Sequence, residues 1–252
     1  MLTAYDALMA REAEAGGADL LLVGDSLGAA VLGYDGVAQV TLMDMAYHTA
    51  AVVRGREKAA VIADMPFQTY RDSKEALASA RTLMQTGCEA VKLEGCKPEI
   101  IRILVDAGIP VMGHLGYTPQ SGPPQVVGRA CESARRLLAE AHAVAAAGAC
   151  SLVLELVPRE VAAVVARKLK IPVIGIGSGP DVDGQVLVIT DMWGESEADY
   201  KFLRCFGSVK NAKVAAVSAY AAAVRERVYP GDEHSFHMKK EELPSWKREF
   251  GV

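Results

Sequence analysis

Short apolar runs recur along the chain, and most of them are separated by stretches with helical periodicity. Several runs are almost continuously apolar, which is typical of parallel strands covered by helices. Eight runs predict strands, at Leu2–Tyr5, Ala18–Asp25, Ala59–Asp64, Ala90–Glu94, Ile109–Leu115, Ser151–Val157, Ile171–Ile176 and Gln185–Thr190. The intervening segments predict helices, notably at Thr41–Arg54, Ser73–Thr86, Pro98–Asp106, Glu132–Ala147 and Arg159–Lys168.

Eight strand–helix units in roughly 250 residues predict a TIM (β/α)8 barrel. A doubly wound open sheet is the alternative, because a strand count does not show that the sheet closes. Only Gly179–Gly184 links the last two predicted strands, which is too short for a crossover helix. Beyond them we expect a helical segment at Ala198–Phe206, a long helix at Val209–Val228 and a polar tail. One domain is expected over 1–252, with the barrel at about 1–206 and the C-terminal helix and tail at 207–252.

Composition and charge narrow the classes of partner. Hydrophobic residues make up 51% of the chain, and the net charge of −4 argues against nucleic acid or an anionic membrane as the main partner. The five cysteines show no paired spacing, which favours free thiols over disulfides or a zinc site. No apolar run is long enough to span a bilayer, and the first residues lack a signal-peptide pattern. We therefore expect a cytoplasmic protein.

Polar residues lie near the carboxyl ends of the apolar runs, where a TIM barrel carries its active site. The two-residue period of a strand places Lys92 and Glu94 on one face of the run at 90–94 and apolar residues on the other. The apolar face should meet the helices, so the charged pair should point into the barrel mouth. Any single polar residue has a structural alternative, as a helix cap or half of an ion pair. Burying six of them together without function would be costly, and six are expected there: Asp25, Asp64, Lys92, Glu94, His114 and Glu155.

The chemistry of this set favours a divalent cation. Asp25, Asp64 and Glu94 supply oxygen ligands without a cysteine or histidine cluster, which suits Mg²⁺. Such a site would polarise the carbonyl of a 2-oxo acid, and Lys92 would place positive charge beside the substrate carboxylate or an enolate. Glu155, between two leucines, suits a general acid or base near neutral pH. The residues predict metal-assisted proton abstraction next to a carbonyl, followed by C–C bond formation or cleavage.

A series of short motifs extends over nearly the whole chain. They are TAYD at 3–6, LVGDSLG at 22–28, AYHTAAV at 46–52, DMPF at 64–67, VKLEG at 91–95, GHLGYTPQS at 113–121, IPVIGIGSG at 171–179 and VYPGDEHSFH at 228–237. Their combination and order resemble the ketopantoate hydroxymethyltransferase (3-methyl-2-oxobutanoate hydroxymethyltransferase) family. The resemblance implies a TIM barrel of the phosphoenolpyruvate/pyruvate-binding superfamily. It also implies transfer of a hydroxymethyl group from 5,10-methylenetetrahydrofolate to 3-methyl-2-oxobutanoate, giving 2-dehydropantoate in pantothenate and coenzyme A biosynthesis.

The resemblance also implies roles for matching positions in this sequence. It implies Mg²⁺ ligands at Asp25, Asp64 and Glu94, and substrate contacts at Asp25, Ser26, Asp64 and Lys92. Glu155 would be the proton acceptor, Lys92 a second catalytic group, and His114 a residue close to the substrate. The family usually assembles as decamers, so a homo-oligomer is implied here.

Two departures from the family pattern bear on these expectations. Family members normally carry a helix and a longer first strand before the TAYD motif, whereas this sequence begins almost at it. A wrongly assigned start codon would explain this, as would a truncation that weakens the barrel floor and the oligomer. The stretch Gly122–Arg129 is shorter than its family counterpart and lacks a Gly-Gly-Tyr-Lys element. Because this loop follows the fifth strand, we expect it to affect folate binding or the exclusion of water more than the metal and 2-oxo-acid site.

Three other functions compete with this interpretation. Gly24–Gly28 has the G-x-S-x-G spacing of a serine-hydrolase nucleophile loop, which would make Ser26 the nucleophile. The Asp-x-x-His that Gly-Asp-Ser-Leu hydrolases carry near the C-terminus does not occur, so this alternative is remote. Another Mg²⁺-dependent 2-oxo-acid lyase or aldolase on the same fold is possible, as is a non-catalytic barrel kept for assembly.

Overall fold

The computed structural model describes residues 1–251 and contains one sheet of eight parallel strands in the order β1 to β8. Leu2 also bridges to Leu187, just beyond the last strand, and the Thr3 N–H donates to the Leu187 carbonyl at 3.1 Å. The sheet therefore closes on itself, which confirms the TIM barrel and excludes the open sheet. The strands are β1 (Leu2–Thr3), β2 (Leu20–Val23), β3 (Ala60–Asp64), β4 (Ala90–Glu94), β5 (Val111–Gly116), β6 (Ser151–Glu155), β7 (Val173–Ile176) and β8 (Gly184–Gln185).

Helices α1 to α6 each follow the strand of the same number and cover the outside of the barrel. The residues between β7 and β8 contain no helix within the described chain, as the short link predicts. Three helices follow β8. The helices are α1 (Ala7–Ala15), α2 (Leu42–Gly55), α3 (Ser73–Met84), α4 (Pro98–Asp106), α5 (Cys131–Ala146), α6 (Arg159–Lys168), α7 (Ile189–Met192), α8 (Val209–Arg225) and α9 (Leu243–Phe250).

Two predictions near the end of the barrel are wrong. The eighth strand ends at Gln185, and Thr190 lies in the short helix α7 instead. The segment Ala198–Phe206 is not a helix. Tyr200 stacks on Phe202 with 5.6 Å between ring centroids, a contact between residues two apart that a helix does not allow. The Phe206 N–H donates to the Met192 carbonyl at 2.8 Å, so tertiary contacts outweigh a weak helical preference.

The alternation of side chains along the strands produces two separate layers. Outward residues pack with the helices in the main core, which includes Val91, Leu93 and Leu154. Inward residues fill the lower part of the barrel with a second apolar cluster of Leu22, Ile62, Ala90, Met112, Val153, Ile174, Ile176 and Val186. On β3 to β6, the inward positions two residues further along are polar, for example Asp64 after Ile62. The period of two therefore sets a polar layer at the barrel mouth directly above an apolar plug.

The last two helices, α8 and α9, lie outside the hydrophobic core. None of the side chains of α8 and α9 is buried, and apolar side chains such as Val214, Val217 and Tyr220 face solvent. All five cysteines are free thiols. Within residues 1–251, every helix is too short or too polar to cross a membrane.

Glu14, at the end of α1, joins that helix to the segment before β3. Its carboxylate accepts the backbone N–H groups of Glu57, Lys58 and Ala59 at 2.6, 2.5 and 2.9 Å, and these bonds, the one from Glu57 first, lower the pKa of Glu14. A lowered pKa contributes stability that is complete above the ordinary pKa of a glutamate and is lost as the pH falls through the lowered value. We expect Glu14→Gln to lower the melting temperature at pH 7 and to matter progressively less in acid. A melting-temperature difference that does not change with pH would contradict this.

Candidate active site

The six polar residues predicted for the barrel mouth do converge there. Five of them are almost completely buried, and only Glu155, with 16% of its side chain exposed, reaches towards solvent. All six line one small cavity of about 100 Å³ at the carboxyl ends of the strands. Each side chain stands on the inward face of a strand or directly after it: Asp25 after β2, Asp64 on β3, Lys92 and Glu94 on β4, His114 on β5 and Glu155 on β6.

Asp64 and Lys92 form a buried ion pair across adjacent strands. The two residues are register partners in β3 and β4, and Lys92 Nζ lies 2.9 Å from Asp64 Oδ1. The other oxygen, Asp64 Oδ2, accepts the backbone N–H of Asp25 at 3.1 Å. Burial alone would lower the pKa of Lys92, but the surrounding carboxylates raise it above its ordinary value. Lys92 is therefore a permanent positive charge in the site.

Asp25 lies against a residue to which the sequence alone had assigned no role. Gln120 donates from Nε2 to Asp25 Oδ2 at 2.7 Å and to the Met65 carbonyl at 3.0 Å. Burial, together with the neighbouring Asp64 carboxylate, raises the pKa of Asp25 to about 8. Asp25, Asp64 and Glu94 crowd around the single ammonium group of Lys92, so Asp25 keeps its proton to a higher pH than a free aspartate, and a divalent cation bound beside it would displace that proton.

His114 links the two glutamates of the site. Its Nδ1 lies 3.5 Å from Glu94 Oε1 and its Nε2 lies 3.2 Å from Glu155 Oε2. Burial and the nearby Lys92 oppose a charged ring, but the Glu155 and Glu94 carboxylates outweigh them and raise the pKa of His114. Glu155 is thus paired with a histidine in the barrel interior. The leucine before it, Leu154, points outward to the helices and does not surround the carboxylate as the sequence suggested.

Ser26 is placed at the mouth but without the partner that a hydrolase nucleophile needs. Its Oγ is 2.9 Å from the Tyr5 hydroxyl. Burial raises the pKa of Tyr5 to about 12, so this hydroxyl is a hydrogen-bond partner and no general base. The sharp turn in this loop depends on Gly28, where an added Cβ would lie 2.7 Å from the Gly36 carbonyl. In the described chain no histidine is hydrogen-bonded to Ser26, so the geometry does not support the serine-hydrolase alternative.

The three predicted metal ligands are near one another but do not form a ready-made cage. No group of three or more histidine, cysteine, aspartate or glutamate side chains within residues 1–251 has the arrangement of a closed metal site. The reason is visible in the contacts: Asp64 faces Lys92, Glu94 faces His114, and Asp25 faces Gln120. Mg²⁺ commonly takes only one or two carboxylates together with waters and substrate oxygens, so this open arrangement suits it.

A larger cavity of about 830 Å³ opens directly above the polar site. Its walls include aromatic rings from Phe67, Tyr117, Tyr200 and Phe202, and carboxylates from Asp35, Asp191 and Glu155. The loop after β5, including Gly122 and the two prolines that follow it, forms one side, and the Val127 N–H ties the loop to the Leu156 carbonyl at 2.9 Å. The shortened segment identified in the sequence therefore borders this cavity.

A match to a family model shows to which protein family the chain belongs. Residues 1–232 match the model described as ketopantoate hydroxymethyltransferase. The chain belongs to the ketopantoate hydroxymethyltransferase family. Similar proteins include the 3-methyl-2-oxobutanoate hydroxymethyltransferase of Roseiflexus sp. (strain RS-1), which is 52% identical over 96% of this chain and 90% of that protein. The enzyme of the same name from Geobacillus kaustophilus (strain HTA426) is 48% identical, with the same coverage of 96% and 90%.

Solved structures show that this family member shares its fold with the PEP mutase/isocitrate lyase superfamily. A 2,3-dimethylmalate lyase of that superfamily aligns with a TM-score of 0.60 and 20% identity over 97% of this chain and 87% of its own. Phosphonopyruvate hydrolase, solved with oxalate and Mg²⁺, aligns with a TM-score of 0.62 and 12% identity over 100% of this chain and 93% of its own. At these identities the likeness concerns the barrel alone, and it confirms the TIM-barrel fold expected from the sequence.

Three residues of the site were missed by reasoning from the sequence alone. Gln120, Tyr70 and Tyr5 all make hydrogen bonds to predicted site residues or to one another. Gln120 is part of the motif at 113–121 that resembles the family, but an uncharged side chain outside a strand does not by itself indicate a place in the active site. Only the path of the loop after β5 shows that it reaches the carboxylates.

Proposed function

We propose that this chain transfers a hydroxymethyl group from 5,10-methylenetetrahydrofolate to 3-methyl-2-oxobutanoate and forms 2-dehydropantoate. The observation that carries the proposal is the complete polar layer at the barrel mouth, in a chain about half identical to proteins named for this reaction. Lys92, Glu155 and the three carboxylates face one cavity, next to a second cavity large enough for another substrate. The reaction would supply an intermediate of pantothenate biosynthesis.

We propose Mg²⁺ as the metal, held by Asp25, Asp64 and Glu94. The three buried carboxylates around one cavity form an all-oxygen donor set that fits a hard divalent cation. When bound, such an ion supplies Lewis-acid polarisation of a 2-oxo acid's carbonyl. A closed three-ligand cage is not required, because waters and the substrate complete the coordination of Mg²⁺.

The proton transfer is assigned to Glu155. Its carboxylate is the one partly exposed acid of the polar layer and borders both cavities, so a substrate in the mouth can present its C3 hydrogen to it. His114, 3.2 Å away, holds the carboxylate in place and balances its charge. Lys92 keeps a positive charge beside the substrate's carboxylate or the enolate oxygen, which stabilises the negative charge that develops.

The larger cavity is assigned to the folate. Aromatic rings such as Tyr117 and Phe202 give flat apolar walls on which a pterin ring can stack. The carboxylates of Asp35 and Asp191 are acceptors suited to the N–H groups of the pterin edge. The cavity borders Glu155, so the carbon to be transferred would reach the site where the proton is removed.

The proposed function is tested by hydrogen exchange at C3 of 3-methyl-2-oxobutanoate in D₂O, followed by NMR with and without Mg²⁺. Exchange that requires Mg²⁺ without folate, together with product formed only when methylenetetrahydrofolate is added, supports the proposal. The absence of any exchange would overturn it. Exchange without product would favour a lyase or aldolase, or a loop that no longer binds folate.

Ser26→Ala is expected to reduce turnover by about tenfold or less, because one hydrogen bond to substrate or to Tyr5 is lost while the carboxylates and Lys92 remain. Steady-state kinetics of product formation measure the effect, with Tyr5→Phe as the companion variant that removes only the other hydroxyl. A complete loss of activity in Ser26→Ala, or hydrolysis of simple esters by the wild-type chain, would restore the nucleophile hypothesis.

The homo-oligomer implied by the family remains a proposal, and a second copy of this chain is the partner. Helix α8 supports it, because none of its side chains is buried in the core of its own chain. Three of its apolar side chains are largely exposed: Val214 (59%), Val217 (67%) and Tyr220 (60%). Light scattering after size exclusion measures the assembly. The cytoplasmic location likewise remains a prediction.

A further inference from the structure

Gln120 has no role in the proposed chemistry, yet it is hydrogen-bonded to two carboxylates of the polar site. It lies in the 3-10 turn Pro119–Ser121 that follows β5. Its backbone N–H donates to Glu94 Oε2 at 3.0 Å, and its side-chain Nε2 donates to Asp25 Oδ2 at 2.7 Å. One residue therefore holds two of the three carboxylates assigned to the metal, which come from β4 and from the end of β2, on either side of β3.

The partners of the Gln120 amide determine which way it faces. Asp25 Oδ2 and the Met65 carbonyl, 2.7 and 3.0 Å from Nε2, are acceptors, so the NH₂ group must face them. The other end, Oε1, faces the hydroxyl of Tyr70, which donates to it. Tyr70 is itself 6% exposed, and its oxygen accepts the Glu94 backbone N–H at 3.3 Å. The amide is fully hydrogen-bonded and has one orientation.

We propose that Gln120, oriented by Tyr70, is the positioning residue that presents Asp25 to the divalent cation. The inference rests on the cation binding of the proposed function. The bond from Nε2 occupies Asp25 Oδ2 and leaves Oδ1 to bind the ion, in the way that hydrogen bonds from outer partners orient metal-binding carboxylates elsewhere. Loss of such a partner typically weakens metal binding by about 10- to 100-fold.

The position of Gln120 also connects the two cavities of the mouth. Gln120 lines the larger cavity together with Tyr117 and Ser121, while its amide reaches down to Asp25. The loop that borders the proposed folate cavity is thereby fastened to the carboxylates below it. A change at Gln120 is therefore expected to alter cation binding as well as the wall of the larger cavity.

The test is equilibrium binding of Mn²⁺ to the purified chain of residues 1–252 without substrate, measured by the electron paramagnetic resonance signal of the free ion. Gln120→Met keeps the size of the side chain and the backbone bond to Glu94 but removes the bond to Asp25. We expect its dissociation constant to rise at least tenfold. Gln125→Met, the same change at an exposed position of the same loop, is expected to bind as the wild type does.

A second variant keeps the inference testable if Gln120→Met folds poorly. Tyr70→Phe removes the hydroxyl that orients the amide and is expected to weaken Mn²⁺ binding about threefold, and by less in the Gln120→Met background. An unchanged dissociation constant in Gln120→Met, or in Tyr70→Phe as a single variant, would overturn the inference and leave the proposed function intact. A wild-type chain that binds no Mn²⁺ would instead remove the metal from the proposed function.

Discussion

Glu155→Gln is expected to lower the rate of C3 proton exchange by about 10²- to 10⁴-fold, the usual contribution of a positioned general base. The amide has the same size and still hydrogen-bonds, but it cannot accept the proton. His114 also keeps its second partner, Glu94, so the ring remains in place. Binding of the 2-oxo acid and of the cation should change little, because Glu155 is not among their assigned contacts.

NMR exchange in D₂O measures the rate, and Mn²⁺ titration of the same preparation shows whether the site is otherwise intact. Glu160→Gln, an exposed glutamate in α6 beyond the same strand, is the matched control and should exchange at the wild-type rate. If Glu155→Gln keeps exchange within a factor of ten of the wild type, another group removes the proton and the assignment is wrong.

Lys92→Met is expected to cost both activity and stability. The ammonium group lies 2.9 Å from Asp64 Oδ1, and the exposed fractions of the two side chains are only 6% and 4%. Removing one partner of such a pair leaves a buried charge without compensation, at a cost of about 3–5 kcal/mol in the free energy of unfolding. In the reaction, the positive charge beside the substrate carboxylate and the developing enolate is lost as well.

Urea unfolding monitored by circular dichroism measures the stability term, with Lys74→Met on the exposed face of α3 as the control. Mg²⁺ should recover part of the stability of Lys92→Met, because a bound cation supplies positive charge to the same carboxylates. If Lys92→Met unfolds at the wild-type urea concentration and turns over normally, the ion pair is neither structurally nor catalytically important.

The positions of the strands and the direction of their side chains were readable from the sequence. A period of two decides which residues of a strand share a face, and this is a local property that needs no tertiary contact. It placed Lys92 and Glu94 inside the barrel, and their position near strand ends placed His114 and Glu155 at the same mouth; the structure confirms the location of all four. The family was equally readable, because its motifs occur in order over nearly the whole chain.

Helix and strand limits beyond β7 were less predictable, since they depend on contacts between distant segments. Phe202 lies against Gly177, where an added Cβ would be 3.0 Å from its ring, and Phe206 is tied to Met192. These contacts keep Ala198–Phe206 out of a helix that its residues would otherwise tolerate. The closure of the sheet likewise depends on a contact between distant segments, because Leu2 pairs with Leu187.

The sequence by itself determined the order of strands and helices, the family and the set of charged groups at the barrel mouth. Only the tertiary structure decided how those groups are paired: Asp64 with Lys92, Glu94 and Glu155 with His114, and Asp25 with Gln120. The physical reason is that strand periodicity aims a side chain at the mouth but does not set its distance from side chains on other strands. Asp25 and Gln120 are 95 positions apart in the chain, and only the closed barrel brings the loop after β5 over the end of β2.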